Sequence, residues 1–263
     1  STFVYRSDGK PIVMCGGIFG FRMILLEPET LEVLASYDLP MRPSSFEALV
    51  RRDMGIMMND SSGGAYMFLD NHDRLVFANS QWLVQRLVAS QSRGRWTFEV
   101  ERQWDLKPYV PHDCLNWNNW FPNSECDKIT TVMPDHQGLY WWTTRSGRIG
   151  TLDPRSGRVA MLSLKGEEIQ NALAMDSFAV YVLSDHAQYA FSADANGRPR
   201  QLWRSAYDRG AGRKVGSINQ GSGTTPTLLG SNWLTFADNA DGRINIDVLR
   251  RTDGSRICSV PVF

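Results

Sequence analysis

Long apolar runs are missing from this 263-residue chain. Ile24-Leu25-Leu26 and Trp233-Leu234 sit among polar neighbours, far short of the roughly 20 apolar residues of a membrane-spanning helix, so no membrane span is expected. Net charge is missing too: 28 Lys+Arg balance 28 Asp+Glu. The basic excess of a nucleic-acid-binding surface is therefore absent, and nucleic acid is not an expected partner. No run of like charge marks a tail or a membrane-surface patch. Helical periodicity is scarce, with short candidates only at 45–52 and 167–173.

Catalytic signatures are equally sparse. There is no HExxH, no GxSxG and no Ser-His-Asp arrangement readable from spacing. Gly221-Ser222-Gly223-Thr224-Thr225 lacks the Lys and the following helix of a phosphate-binding loop and reads as a loop entering a sheet. The chain opens on Ser1-Thr2-Phe3-Val4 with neither an initiator Met nor a charged-then-apolar leader, which reads as a processed or cut form.

Cysteine is limited to Cys15, Cys114, Cys126 and Cys258, none in a CxxC pair, so zinc and thiol-redox chemistry are poorly served. Cys114 and Cys126 bracket a polar, aromatic loop. A bridge there would close a short loop and contribute about 3 kcal/mol in the chain-entropy model. Cys15 with Cys258, near opposite ends of the chain, is a second arrangement. Four cysteines allow three pairings, and sequence does not choose among them. Disulfides would favour a secreted or periplasmic location; four buried thiols in the cytosol are the alternative.

What the chain does contain is a repeated grammar of short strands and tight turns. Residues 129–164 read as four strands separated by turns at Asp135-His136-Gln137-Gly138, Ser146-Gly147 and Asp153 to Gly157. Asp bonds its own backbone and Gly permits positive φ, which suits tight reversals. Four antiparallel strands in about 40 residues make a propeller blade. The same order recurs at 173–204, 65–100, 21–39 and 227–263: Asn196-Gly197, Arg93-Gly94 and Asp253-Gly254 take the last turn, and Leu26 to Thr30 matches Leu152 to Ser156. The expected fold is all-β, a single propeller domain over 1–263 with about five blades. The chain opens inside its first blade and belongs to a ring of six or seven with part lying elsewhere. A β-sandwich is the alternative, but it would not need one turn motif at the same place in every unit.

The LDPxxG turn at Leu152 to Gly157 and the Asp135 to Trp142 stretch (DHQGLYWW) resemble secreted quinoprotein-like and lactonase-like β-propellers. The stretch from Gly221 through ADNADGRINIDVLRR to ICSVPVF resembles a poorly characterised bacterial and fungal group of them. The resemblance implies fold and secretion, a chain that continues into further strands, and no particular reaction. Lactonase-like propellers hold an axial calcium with Glu, Asn and Asp; candidates of those types are Glu27, Asn59, Asp60, Asn79 and Asp185. The Asx-rich turn Asp238 to Gly242 is a further calcium candidate. It is no EF-hand, because Ala237 and Val248 would fall at ligand positions 1 and 12. A quinone cofactor would call for Trp-rich docking motifs in every blade, and these are absent.

The most individual segment is 105–126, DLKPYVPHDCLNWNNWFPNSEC. Trp117, Trp120 and Phe121 stand among Asn residues, including Asn118, with His112 at the entry. Aromatic faces beside amides suit stacking and hydrogen bonding to a carbohydrate or flat small molecule; packing of these rings over the blades is the bland alternative. His72 and His136 occupy equivalent turns, where convergence would build a metal or acid/base site and exposure would mean nothing. The functional expectation is a secreted propeller that binds a ligand or partner on a loop-lined face. An enzyme with an axial site, a calcium-dependent lactonase or hydrolase or a quinone-dependent oxidoreductase, is the alternative.

Overall fold

The computed structural model describes residues 3–17, 20–112, 115–116, 121–122 and 126–262. Among these lie five four-stranded antiparallel sheets, each with its strands in sequence order. The chain divides into two compact units, Ser1–Met133 and Pro134–Phe263.

In the first unit, β1 (Phe3–Tyr5), β2 (Pro11–Gly17), β3 (Gly20–Leu26) and β4 (Val33–Leu39) form the first sheet, and β5 (Met67–Leu69), β6 (Arg74–Ala78), β7 (Leu83–Ser92) and β8 (Arg95–Asp105) the second. The first sheet is thus complete: two strands precede residue 21, where the sequence reading placed the opening of a partial blade. Ile12, Met23 and Leu25 pack with Leu75, Phe77 and Leu87 in one core, all fully buried. Between the sheets run α1 (Pro43–Arg51) and α2 (Met54–Met58). The helix expected at 45–52 is α1; Pro43 starts it, where a missing N–H costs nothing, and Glu47 pairs with Arg51 at 2.8 Å. A short hairpin, β9 (Leu115–Asn116) with β10 (Phe121–Pro122), precedes the third sheet.

The third sheet comprises β11 (Ile129–Pro134), β12 (Tyr140–Thr144), β13 (Arg148–Leu152) and β14 (Val159–Ser163). In the second unit follow β15 (Ala174–Met175), β16 (Val180–Leu183), β17 (Ala187–Ala193) and β18 (Pro199–Ala206), then β19 (Thr227–Leu229), β20 (Trp233–Ala237), β21 (Asn245–Arg250) and β22 (Arg256–Pro261). β12 and β16 are buried at every position, whereas β22 is exposed throughout. Middle strands are covered on both faces, and the edge strand β22 is not. Burying each large inner side chain stabilises the fold by about 1.5–3 kcal/mol.

One turn device recurs. Asp70, Asp135 and Asp176 each follow the first strand of a sheet. Their Oδ1 atoms accept backbone N–H bonds from His72 and Arg74, from Gln137 and Leu139, and from Phe178 and Ala179, at 2.8–3.1 Å. Their Oδ2 atoms accept from Arg74 Nε, Trp141 Nε1 and Tyr181 Oη on the strand that follows. Each carboxylate therefore fixes both the reversal and one side chain of the next strand. Gly150 shows what the register demands: it lies directly opposite Trp142, whose fully buried ring covers it. Gly16 stands opposite Phe21 in the same way.

The helix expected at 167–173 is absent; the segment is extended loop. Its backbone bonds outward instead. Glu168 N–H donates to Asp185 Oδ1 at 2.7 Å, Asp185 N–H to Glu168 O at 2.9 Å, and Ile169 N–H to Arg145 O at 3.0 Å. Cys15 and Cys258 carry free, exposed thiols, so the bridge between chain ends is not made.

Candidate ligand-binding site

The described residues that flank the aromatic, Asn-rich segment, before and after it in sequence, are held together as a neck. Its entry is set by Trp82, in the turn between β6 and β7. Asn79 Oδ1 accepts N–H bonds from Gln81 at 2.9 Å and Leu83 at 3.2 Å, which closes that turn. Trp82 takes the left-handed φ of 61° there. Its ring is buried, and its carbonyl accepts the N–H of fully buried Leu106 at 2.9 Å. Its Nε1–H donates to Asp127 O at 2.8 Å, tying the entry of the segment to its exit. Asp127 N–H donates in turn to Pro111 O at 2.9 Å. His112 lies edge-on to the Trp82 ring, centroids 5.9 Å apart, and its Nδ1 is 3.0 Å from Val110 O. A carbonyl only accepts, so Nδ1 is the donor in this bond.

The exit is held by Lys128. Its Nζ donates to Asp60 Oδ2 at 2.8 Å. Asp60 is almost wholly buried and also accepts from Ser44 Oγ, at the start of α1, and from Ser62 N–H at 2.9 Å. Burial pushes its carboxyl up. The Lys128 ammonium and the hydrogen bonds from Lys128, Ser44 and Ser62 outweigh that and hold it well below the usual carboxylate range. Arg42 completes the anchor: its Nη1 donates to Asp60 O at 2.8 Å, and its guanidinium lies over the Phe21 ring, 3.9 Å from the centroid. A small cleft lined by Ser62, Asn79, Ser80, Trp82 and Lys128 opens at this base.

Of the expected ligand-binding residues, His112 stands at the neck. Phe121 pairs with Asn116 in the β9–β10 hairpin, whose second strand lies beside α1. Trp117, Asn118 and Trp120 fall between those strands, outside the described residues, as does Cys114. Cys126 is not among the free thiols of the described residues. Sequence reading missed Trp82, Lys128 and Arg42. Asn79 two residues before Gln81 was a legible turn signal, but nothing in spacing pairs Lys128 with Asp60.

Of the residues offered for calcium, the three aspartates have partners of their own. Asn59 closes α2, and Asp60 is the anchor just described. Asp185 accepts from Glu168 N–H, sits 2.8 Å from His186 Nδ1 and takes Arg209 Nη2 at 2.7 Å. Arg209 Nη1 also meets His186 Nε2. Asp238 accepts from Asn245 N–H at 2.8 Å and Asn245 Nδ2 at 2.7 Å, and closes the β20–β21 turn. Asp60 is thus paired with the Lys128 ammonium and Asp185 with the Arg209 guanidinium. Among the described residues no three His, Cys, Asp or Glu side chains are grouped to hold a metal. His72 and His136 are exposed turn residues. The loop at Gly221 to Thr225 enters the fifth sheet, with Ser222 N–H on Tyr207 Oη at 2.8 Å.

No family profile matches the chain. A curated protein of Archaeoglobus fulgidus, described only as uncharacterized, is 31% identical over 124 residues, which is 44% of this chain and 24% of that one. Among solved structures, the WD40 domain of Toxoplasma gondii coronin aligns with 96% of this chain and 56% of its own, at TM-score 0.63 and 9% identity. The β-propeller domain of Cps50 (Swd1) from Myceliophteria thermophila aligns with 98% of this chain and 71% of its own, at TM-score 0.58 and 10% identity. The extracellular domain of a hybrid two-component system from B. thetaiotaomicron gives 97% and 28%, TM-score 0.57 and 13% identity. No helix of the described residues is long and apolar enough to cross a membrane. Five sequential four-stranded sheets and this likeness give the chain's fold as a β-propeller.

Proposed function

We propose that this chain is a secreted propeller that binds a carbohydrate or flat small molecule through the segment carrying His112, Trp117, Asn118, Trp120 and Phe121. The observation that carries the reading is the neck. Trp82 and Asp127 tie entry to exit, and the Lys128–Asp60 pair fixes the exit to α1. Ordering a polar loop costs conformational entropy, and a pre-held loop pays less of it on binding a ligand. Phe46, Leu49 and Val50 of α1 add exposed apolar surface on the helix beside β10. A Cys114–Cys126 bridge would tighten the loop further and belongs with secretion; the free state of Cys15 and Cys258 leaves those two as partners.

An oligosaccharide array probed with the purified protein tests this, with Trp117→Ala and Trp120→Ala beside it. Each stacked ring contributes about 0.5–1.5 kcal/mol, so affinity should fall roughly 2- to 10-fold per variant while Tm stays unchanged. Binding that is indifferent to both substitutions would refute the assignment. Peptide mapping without reductant reads the bridge directly.

A further inference from the structure

Asp70, Asp135 and Asp176 are the same residue in the same turn of three successive sheets, yet their counter-charges differ. Asp70 Oδ2 takes Arg74 Nε at 2.7 Å, and Asp176 Oδ2 takes Arg251 Nη1, from the turn after β21, at 2.9 Å. Asp135 accepts N–H bonds from Gln137 at 2.9 Å, Leu139 at 3.0 Å and Trp141 Nε1 at 2.8 Å. Among the described residues no cation pairs with it. Its three donors are neutral, so its charge stands unanswered.

That carboxylate lines a cleft between the third and fourth sheets, together with His136, Trp141, Asp176, Phe178 and Phe191. No Lys or Arg lines it, so the carboxylate surplus falls on Asp135. Trp141 and Phe191 are wholly buried and give the cleft a dry floor, while Phe178 is 52% exposed at its mouth. The Phe178 backbone is fixed there, its N–H donating to Asp176 Oδ1 at 2.8 Å. The space measures about 60 Å³, room for roughly four or five water molecules. A guest the size of one side chain fits; a drug-sized one does not.

We propose that this cleft binds a small organic cation, a guanidinium or alkylammonium group, with its charge at Asp135 and its stem along Phe178. Ring faces attract cations as carboxylates do, so both features select the same sign. An anion would meet the unpaired carboxylate, and a neutral guest would leave it unanswered. The site shares no residue with the aromatic segment at 105–126, so either assignment can fail without the other.

The Trp141 Nε1–H signal in ¹⁵N NMR is the reporter, because that group already donates to Asp135. Titration of the purified chain with n-propylguanidinium should shift it with a Kd in the millimolar range or tighter. The neutral isostere n-propylurea should bind at least roughly tenfold more weakly, since hydrogen bonds to charged groups are the stronger ones. Phe178→Ala should weaken the cation about 2- to 5-fold, and Asp135→Asn at least roughly tenfold. Should Asp135→Asn fail to fold, the guanidinium–urea comparison in the unaltered protein stands by itself. Equal binding of the two probes, or a Trp141 signal that neither moves, would overturn the proposal. A free guanidine and an arginine side chain of a partner share this chemistry, and N-acetylarginine methylamide separates them. Binding as tight as that of n-propylguanidinium supports the site with a partner's side chain as its guest, and weaker binding supports it with a free cation.

Discussion

Lys128 Nζ and Asp60 Oδ2 meet at 2.8 Å across 68 residues of sequence, and the Asp60 side of the pair is almost wholly out of water. Removing the cation leaves a buried carboxylate without its counter-charge. Lys128→Met should cost about 3 kcal/mol in urea denaturation at pH 7. The pH dependence has a definite sign. Asp60 is depressed in the folded state, so its contribution is full above the unfolded carboxylate value of about 3.9 and is lost as pH falls toward the folded one. The wild-type protein should lose stability below pH ~4, and the variant should lose less over the same interval.

Trp82→Phe keeps the apolar ring but deletes the Nε1–H that Asp127 O accepts. A carbonyl deprived of its partner in a buried place costs about 1–3 kcal/mol. The neck loosens with it, so limited proteolysis between His112 and Lys128 should accelerate in the variant well before global unfolding. A cleavage rate equal to wild type would mean that this bond does not hold the loop.

Gly150→Ala should destabilise by about 1–3 kcal/mol, because a methyl there collides with the Trp142 ring in the opposite register position. Gly212→Ala is the matched control: nothing lies within 4 Å of the new Cβ, and the change should be within about 0.5 kcal/mol of wild type. Thermal denaturation of the two side by side separates packing from a general glycine effect.

Asp247 is buried, and its carboxyl is pushed up by that burial; a hydrogen bond from Ser259 and the charge of Arg256 at 3.3 Å pull the other way, while Asp238 and Asp208 push it higher. A raised acid disfavours the fold when ionised. Its penalty is therefore present above the folded pKa and relieved as pH falls toward the unfolded value. Asp247→Asn should raise Tm at pH 7, with the gain shrinking toward pH ~4. A lower Tm at pH 7 would show that the Arg256 pair outweighs the burial.

Much of the architecture was legible residue by residue. Asp135, Gly138, Gly157 and Gly197 mark reversals by their own backbone chemistry, and all four lie in strand-to-strand turns. The first sheet was only half seen, because β1 is three residues long and β2 runs into Cys15-Gly16-Gly17, which resembles no strand in isolation. Residues 167–173 misled in the opposite direction: an amphipathic spacing invited a helix, but their N–H groups found Asp185 and a carbonyl of Arg145. The calcium candidates were chosen by residue type, and type does not reveal that Arg209 and Lys128 already neutralise two of them.

By itself the sequence determined the repeat: local turn chemistry and alternating apolar residues are properties of neighbours a few positions apart, and they need no folded context to act. Which buried charges pair, how the aromatic segment is pinned at Trp82 and Asp60, and which turn carboxylate is left without a cation were decided only by tertiary structure. Those contacts join residues tens of positions apart, and their strength comes from the exclusion of water that folding itself creates.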